Sequence, residues 1–291
     1  MKQLIVLFAY AISQGNAFQS SDNTRLSPIQ AVHARYPLKA QEVDVTQETE
    51  YFWKEVRSRD EILLHVTKSI FPNHEFAEVS QNVKVISNEL PLITIDNFIS
   101  ENECIEIMRA AEELGTLKRS TLGASQEVSN LRTSSTIWLT REHCENPILA
   151  LQSKANILSG IPIRNYENLQ VVKYNGNGEK FGLHTDHLEA FNDLKIGGRL
   201  ATCLVYLNSA AEGFEENRFT GGTTHFPEYN VFVKPKVGRA VFWFNTIERI
   251  GGENFNPNQL RPDLRSRHSG TPVHNGEKWV CNLWMHPFPL S

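Results

Sequence analysis

The second half of the chain is divided into many short apolar runs, and this division constrains the fold more than any other feature of the sequence. From Glu167 onward, β-branched and aromatic residues alternate with Gly, Pro and Asn turns. Short strands at this spacing indicate an antiparallel sandwich or jelly roll rather than a parallel α/β sheet. The clearest predicted strands are residues 169–174, 200–207, 231–233, 240–244 and 278–284.

Helical patterns precede these strands. Ser100 is followed three residues later by Glu103, which is a capping box, and apolar residues at the 3.6-residue period then continue to Gly115. Residues 147–158 show a second helical pattern. A weaker pattern within residues 41–72 predicts one or two further helices.

The first strands of the main domain are predicted within residues 83–95, where β-branched runs are interrupted by Pro91. A polar loop is predicted over residues 120–133. The organisation expected from these patterns is mainly β with flanking α.

Composition restricts the kind of partner. The chain has 291 residues, 40% of them hydrophobic, which is enough for one large domain with a sizeable core. Its formal net charge is −4, and no run of five or more basic residues occurs. Nucleic acids and anionic membrane surfaces need such basic clusters. We therefore expect no nucleic-acid partner, and we expect a small molecule or another protein instead.

The N-terminus has the order of a signal peptide. Met1 and Lys2 are followed by the apolar run 4–12 and then by small residues that end at Ala17. This run is too short to span a bilayer, so no stable membrane span is expected in the mature chain. We predict a signal peptide over 1–17 and an extension over 18–90 that is partly irregular or helical. The expected location is the secretory pathway, in the endoplasmic reticulum lumen, with a plastid reached through a bipartite presequence as the alternative.

The four cysteines lie far apart, without a Cys-x-x-Cys pair. They indicate neither a zinc site nor a dense disulfide framework. Cys203 and Cys281 lie inside apolar runs, where a buried thiol behaves as a small hydrophobic group. Cys104 and Cys144 could pair in an oxidising compartment, and the sequence leaves that pairing open.

His184 and Asp186 form a candidate metal half-site. On an extended strand, side chains at i and i+2 point to the same face, so an imidazole nitrogen and a carboxylate oxygen could meet at one point. A second His would complete the 2-His-1-carboxylate triad, which leaves the remaining positions of an octahedral Fe(II) open. Without it, the pair is a polar strand edge. The candidates downstream are His225, His268, His274 and His286.

A second block near the C-terminus is informative. Asn275-Gly276 between apolar runs predicts a hairpin with a type I′ turn, which would place His274 at its rim and His268 along its incoming arm. On the outgoing strand, the period of two points Lys278 into the barrel. An unpaired buried ammonium is costly, so an anionic partner is expected.

These residues, in their order, resemble the iron- and 2-oxoglutarate-dependent dioxygenases, and specifically the catalytic domain of prolyl 4-hydroxylase alpha subunits. The resemblance covers about residues 90–288. Its elements run in the order Ser100 to Cys104, Arg132-Thr133-Ser134, Glu167, Gln170, Tyr174, His184, Asp186, Arg199 to Thr202, Tyr206-Leu207-Asn208, Gly221 to Thr224, Phe226-Pro227, Pro235, Gly238, Ala240, His268, Pro272-Val273, Gly276 and Lys278-Trp279.

The resemblance implies a fold and a metal site. The fold is a distorted double-stranded β-helix, a jelly roll with N-terminal helices packed outside, over residues 91–291. The iron ligands are His184, Asp186 and His268. His268 is chosen because the distal His of the family lies ten residues before the Lys that binds 2-oxoglutarate, and Lys278 follows His268 by that interval.

The resemblance also implies how the cosubstrate is held. Lys278 would pair with the distal carboxylate of 2-oxoglutarate, with hydroxyl donors from Tyr174, Thr224 and Tyr206, while Trp284 would wall the pocket. For the three hydroxyls and the indole, the alternative is a plain core residue. L-ascorbate is expected to restore iron that is oxidised in uncoupled turnovers.

The implied activity is hydroxylation of a peptidyl proline, coupled to oxidative decarboxylation of 2-oxoglutarate by dioxygen. The partner would be a peptide or protein, including proline-rich ones. Arg199 corresponds to a basic residue beside the peptide, with a solvated surface Arg as the alternative. Relatives often have Tyr where this chain has Phe181, near the substrate proline. This favours a second possibility, a dioxygenase acting on another peptide residue or a small molecule. A third, from another class, is a catalytically silent peptide-binding jelly roll.

Overall fold

The computed structural model describes residues 52–122, 127–187, 192, 196–211 and 218–290. The predicted signal peptide, residues 1–17, and residues 18–51 of the predicted extension lie outside the described residues. Among the residues that are described, no helix is both long enough and apolar enough to cross a membrane.

Four α-helices are present in the described part of the chain, and two of them begin at a serine whose side chain caps free N–H groups of the first turn. Ser58 and Ser100 both form capping boxes, with Glu61 and Glu103 respectively, so the predicted box at Ser100 is confirmed. The helix that follows Ser100 ends at Gly115, also as predicted. The helices are α1 Arg59–Ile70, α2 Phe76–Asn82, α3 Glu101–Leu114 and α4 Glu145–Ser159.

Helix α2 is the one that sequence patterns did not predict. It has seven residues, and its N-cap residue Glu75 makes no side-chain capping bond. It buries one hydrophobic residue, Val79. A helix this short gains its stability from packing rather than from propensity, so it leaves little signal in the sequence.

Fifteen strands are assigned in the described residues, and every pairing between them is antiparallel. They are β1 Val83–Ser87, β2 Leu92–Ile95, β3 Lys118–Arg119, β4 Thr121–Leu122, β5 Glu127–Val128, β6 Ser135–Leu139, β7 Leu169–Asn177, β8 Phe181–His184, β9 Ala201–Tyr206, β10 Thr220–Gly221, β11 Thr224–Phe226, β12 Val231–Val233, β13 Ala240–Phe244, β14 His268–Gly270 and β15 Val273–Met285.

Two sheets build the domain. The larger has the order β1-β2-β13-β9-β15-β7-β6-β3, and β10 pairs with the N-terminal end of β15. The smaller has the order β12-β11-β14-β8, and β4 pairs with β5 in a separate ribbon inside the predicted polar loop. The predicted jelly roll with flanking helices is confirmed, and the predicted strands at 231–233 and 240–244 keep their bounds in β12 and β13.

The hydrophobic core lies on the central strands of the larger sheet. All residues of β9 and β13 are buried, and each fully buried aliphatic or aromatic side chain contributes about 1.5–3 kcal/mol. The N-terminal segment packs against this sheet: the Trp53 ring lies 5.9 Å from that of Phe242, and its indole nitrogen donates to the Leu158 carbonyl at 2.6 Å. Helices α1 and α2 contact β1 at the edge of the larger sheet, so the described N-terminal helices are packed outside it, as expected.

The predicted hairpin at Asn275-Gly276 is wrong. Both residues have positive φ, 55° and 48°, as a type I′ turn requires, but β15 runs through them and pairs with β7 on both sides. The pairing shifts register between His274 and Glu277, so the two residues form a bulge. Gly176 faces this bulge, and its missing Cβ lets the Asn275 backbone come close.

All four cysteines are free thiols. Cys104 is a buried residue of α3 whose thiol contacts the Tyr206 carbonyl, and burial raises the pKa of that thiol to about 12. The pairing of Cys104 with Cys144 that the sequence left open is not present in the structure.

Candidate active site

His184 and His268 face each other across two strands. They are directly paired residues on β8 and β14, and their ring centroids lie 4.3 Å apart. Directly opposite residues of an antiparallel pair carry their side chains on the same face of the sheet. The smaller sheet therefore brings together two imidazoles that lie far apart in the sequence.

Asp186 completes the cluster from outside the strand. It lies two residues beyond the end of β8, so the expectation that His184 and Asp186 share one extended strand is wrong for Asp186. Its Oδ1 is nevertheless 3.4 Å from His184 Nε2 and 3.9 Å from His268 Nε2. One ligand atom from each of the three residues lies within 4.8 Å of the others. This is the donor set of a facial triad.

The tautomers of both imidazoles follow from their other nitrogens. His184 Nδ1 is 2.8 Å from the Gly182 carbonyl, and His268 Nδ1 is 3.0 Å from the Ser266 carbonyl. A carbonyl only accepts, so each Nδ1 must donate its proton, and each Nε2 keeps a lone pair directed at the cluster. Such a hydrogen bond also fixes the orientation of a ligand ring.

The charge state of the cluster suits a divalent metal. Burial and the neighbouring His184 lower the pKa of His268 to about 4, so this ring is neutral at pH 7. Burial alone would raise the pKa of Asp186, but His268 and His184 together bring that pKa well below its usual range. One carboxylate and neutral imidazole therefore converge on a single point, which is the chemistry that Fe(II) sites of this class use.

The second oxygen of Asp186 is occupied. Its Oδ2 accepts hydrogen bonds from Thr202 Oγ1 at 2.8 Å and from Trp284 Nε1 at 3.1 Å. Trp284 thus contacts the cluster of candidate ligands through its indole N–H, which donates to Asp186. The contact from Thr202 was not predicted from the sequence, although a hydroxyl inside the apolar run of β9 was a signal for it.

Lys278 lies in the interior of the barrel, as predicted. Only 2% of the residue is exposed, and among the described residues its ammonium has no carboxylate within 4.0 Å and no hydrogen-bond partner. Its Nζ lies 4.9 Å from the Tyr174 ring centroid and 5.5 Å from that of Tyr206. Burial lowers the pKa of Lys278 to about 7. The side chain is therefore placed for an anionic ligand that the described chain does not supply.

The predicted hydroxyl donors lie beside this lysine, but they are not equivalent. Tyr206 Oη is 2.6 Å from Thr224 Oγ1 and 3.1 Å from the Val233 carbonyl, so its proton is used within the protein. Where Thr224 Oγ1 accepts that proton, its own proton is available to a ligand. Tyr174 is buried, and burial raises the pKa of its hydroxyl, which keeps it a neutral donor.

Arg199 is buried, so the alternative of a solvated surface Arg is wrong. Its guanidinium forms a two-pronged ion pair with Glu167, at 2.5 and 2.9 Å, and lies 3.4 Å from the Trp284 ring centroid. His286 also contacts Glu167, at 2.9 Å. Burial raises the pKa of Glu167, but Arg199 and His286 outweigh it and lower that pKa to about 2. A role of Arg199 beside a substrate stays a prediction.

Phe181 lies flat on the first iron-ligand candidate. Its ring centroid is 3.6 Å from that of His184 at an interplanar angle of 13°, and the Arg132 guanidinium lies 4.7 Å from the Phe181 ring centroid. Arg132 is itself buried and hydrogen-bonded to Gln170 Oε1 at 3.0 Å. Phe181 therefore presents an apolar ring, without a hydroxyl, beside the metal cluster.

The other candidate histidines lie elsewhere. His274 is exposed beside the bulge of β15, and His225 stacks on Phe232, its cross-strand partner on β12. His286 contacts Glu167. Of the four downstream histidines that the sequence left open, the cluster contains His268.

Comparison with known proteins agrees with this geometry. The family model described as the 2OG-Fe(II) oxygenase superfamily matches residues 169–286. The chain is 33% identical over 205 residues to the human protein named prolyl 4-hydroxylase subunit alpha-1, covering 67% of this chain and 34% of that one. It is 29% identical over 231 residues to Arabidopsis thaliana prolyl 4-hydroxylase 2, covering 70% of each. The chain thus spans about a third of the length of the human subunit.

Solved structures of prolyl hydroxylases are also similar to this chain. A viral collagen prolyl hydroxylase from Paramecium Bursaria Chlorella virus-1, in its 2OG complex, aligns with a TM-score of 0.52 and 27% identity, covering 68% of this chain and 96% of that one. A prolyl hydroxylase from Trichoplax adhaerens aligns with a TM-score of 0.50 and 18% identity, covering 79% and 94%, which supports the fold alone.

Proposed function

We propose, on the premise that this chain belongs to the prolyl 4-hydroxylase family of 2OG-Fe(II) oxygenases, that it hydroxylates a peptidyl proline with dioxygen and 2-oxoglutarate as cosubstrates. One observation carries the proposal. The ligand atoms of His184, Asp186 and His268 converge in the same barrel that encloses the unpaired ammonium of Lys278. An iron enzyme with a dicarboxylate cosubstrate needs both features: a group of metal-ligand side chains, and a buried cation that has no partner in the described chain.

The residues present fit Fe(II). Two imidazole nitrogens with defined tautomers and one ionised carboxylate oxygen would hold it, and three protein ligands leave positions for small molecules. When bound there, Fe(II) supplies the oxygen chemistry that couples conversion of 2-oxoglutarate to succinate and carbon dioxide with hydroxylation of a C–H bond. Phe181, packed on His184, keeps one side of the cluster apolar.

The residues also fit 2-oxoglutarate. Lys278 would bind the distal carboxylate, because the pairing replaces the cost of an unpaired buried ammonium with a charge-assisted hydrogen bond. Thr224 would donate its free proton to the same carboxylate, and Tyr206 would hold the Thr224 hydroxyl in place. Tyr174 is proposed as a further donor. These contacts would fix the cosubstrate at one end and direct its other end toward the metal.

The substrate side rests on the relatives. The human and Arabidopsis proteins are named prolyl 4-hydroxylases, so a proline in a peptide or protein is the proposed target. The second candidate, another peptide residue or a small molecule, is favoured by Phe181, which offers no hydroxyl to a substrate. We also propose L-ascorbate as the reductant that maintains the iron, and the secretory pathway as the location.

The test is succinate formation by the purified full chain with Fe(II), ascorbate and 2-oxoglutarate, with and without proline-rich peptides. We expect slow succinate release alone and faster release with peptide, together with a 16 Da increase on peptide proline in mass spectra. Absence of succinate formation by metal-loaded protein would contradict the enzyme proposal. Succinate formation that no proline peptide accelerates would favour the second candidate. His274→Ala is the control variant for this assay. It should form succinate as the wild type does, because His274 is exposed and outside the cluster.

A further inference from the structure

The two oxygens of the Asp186 carboxylate have separate tasks. Oδ1 faces both imidazoles, whereas Oδ2 accepts from Thr202 and from Trp284. A carboxylate that rotates freely can present either oxygen to a metal, or both. Donors fixed on Oδ2 leave Oδ1 as the oxygen that faces the cluster. The orientation of the Thr202 hydroxyl therefore matters for any metal bound there.

The Thr202 hydroxyl has one proton and two acceptors within reach. Asp186 Oδ2 lies at 2.8 Å and Asn245 Oδ1 at 3.3 Å. The amide nitrogen Nδ2 of Asn245 lies 2.9 Å from Thr202 Oγ1, and an amide NH₂ can only donate. At that contact the hydroxyl oxygen must accept, and its own proton goes to the nearer acceptor, which is also charged.

We infer that Asn245 is a positioning residue for the iron carboxylate, acting through the hydroxyl of Thr202. The inference rests on the proposed function, because it concerns the residue that would bind iron. By donating to Thr202, Asn245 sets the direction of the hydroxyl proton, which holds Oδ2 of Asp186 and leaves Oδ1 for the metal. One hydrogen bond thus connects Asn245 to Thr202, and a second connects Thr202 to Asp186.

The fold holds the hydrogen bonds between Asn245, Thr202 and Asp186 in place. Thr202 lies on β9 between its paired residues Trp243 on β13 and Trp284 on β15. Asn245 follows the last residue of β13, and its backbone N–H donates to the Leu200 carbonyl at 2.8 Å. Thr202 and Asn245 both have 0% exposure, so bulk water has no access to replace either donor. In such buried networks each hydrogen bond is stronger than at the surface.

The test measures the affinity of the full chain for Mn(II), a divalent ion that binds such sites without turnover. We expect Thr202→Val to weaken binding by about 10–100-fold, the usual effect of losing a residue that orients a metal ligand. Thr202→Ser keeps the hydroxyl and should recover most of the affinity. Asn245→Ala should weaken binding in the wild-type background and should have no further effect in the Thr202→Val background, because it acts through that hydroxyl.

The control for loss of a buried hydroxyl is Thr67→Val. Thr67 donates to the Leu63 carbonyl within α1, away from the cluster, so its replacement should leave Mn(II) affinity unchanged. The Tm of each metal-free variant is measured in parallel. If Thr202→Val does not fold, Thr202→Ala takes its place, measured below its Tm.

Two results would overturn the inference: wild-type Mn(II) affinity in the folded Thr202→Val protein, or an Asn245→Ala effect of equal size in both backgrounds. A failure of the proposed function looks different. In that case the wild-type chain itself would not bind Mn(II), or would bind it equally well after His268→Ala.

Discussion

Arg199 and Lys278 are two buried cations of the same β domain, and they differ in what accompanies them. Arg199 has a carboxylate partner, Glu167, in two-pronged contact, and its guanidinium covers the Trp284 ring. Lys278 is also buried and has two aromatic rings nearby, but it has no carboxylate partner among the described residues. The charge of Arg199 is neutralised within the chain and stabilises the fold, whereas we propose that the unpaired charge of Lys278 binds a ligand.

The largest expected effect concerns the neutralised cation. Arg199→Met leaves Glu167 buried without its guanidinium, and breaking a buried pair in this way costs about 3–5 kcal/mol. We expect a lower free energy of unfolding in urea denaturation. The double variant Arg199→Met with Glu167→Gln removes both charges and should recover part of the loss. Equal stability of the single variant and the wild type would contradict the comparison.

The second prediction has the opposite sign. Lys278→Met removes an unpaired buried ammonium, so the metal-free, ligand-free protein should become more stable by about 1–3 kcal/mol. The same change should raise the Kd for 2-oxoglutarate by about 10²-fold or more, because a charged hydrogen bond in a dry site is lost. Urea denaturation and ligand titration measure the two effects. A loss of stability in the ligand-free protein would show that Lys278 is already neutralised.

The third prediction is a pH dependence. Burial lowers the pKa of Lys278 to about 7, while the unfolded value is about 10.4. Between these values the unfolded chain binds more protons, so the Lys278 contribution to stability should rise with pH across this window. It is measured as the difference between wild type and Lys278→Met. Affinity for 2-oxoglutarate should fall as the pH rises above 7, because the ammonium loses its proton. A pH-independent difference would contradict the lowered pKa.

The smallest effect is expected for an exposed cation. Lys236 pairs with Asp96 at 2.8 Å, but nearly half of its side chain is exposed. Lys236→Met should change the free energy of unfolding by about 0–1 kcal/mol, since water and salt screen such pairs. Urea denaturation at low and high salt measures this. A change as large as that of Arg199→Met would remove the distinction between buried and exposed cations.

The sequence predicted those parts of the fold that depend on local pattern. The strand at residues 240–244 and the capping box at Ser100 are local features, and both are present as predicted. The Asn275-Gly276 hairpin failed because positive φ at two successive residues suits a bulge as well as a turn, and the facing Gly176, a hundred residues away, decides between them.

The site was predicted to a similar extent. His268 was identified through the family resemblance, and the structure places it in the cluster. The burial of Arg199 depends on Glu167, which lies 32 residues earlier in the chain, and no local pattern indicates that contact. The Thr202 contact depends on the side of β9 that faces Asp186, which is known only once the strands are in register.

The proposed iron and 2-oxoglutarate sites are tested most directly by anaerobic binding of Fe(II) and 2-oxoglutarate, followed by the visible absorption band that appears when a 2-oxo acid chelates Fe(II). We expect this band for the wild type and for His274→Ala. We expect no band for His268→Ala, and for Lys278→Met we expect a band only at much higher 2-oxoglutarate concentration. A band of wild-type strength and affinity in His268→Ala would contradict the assignment of the metal site.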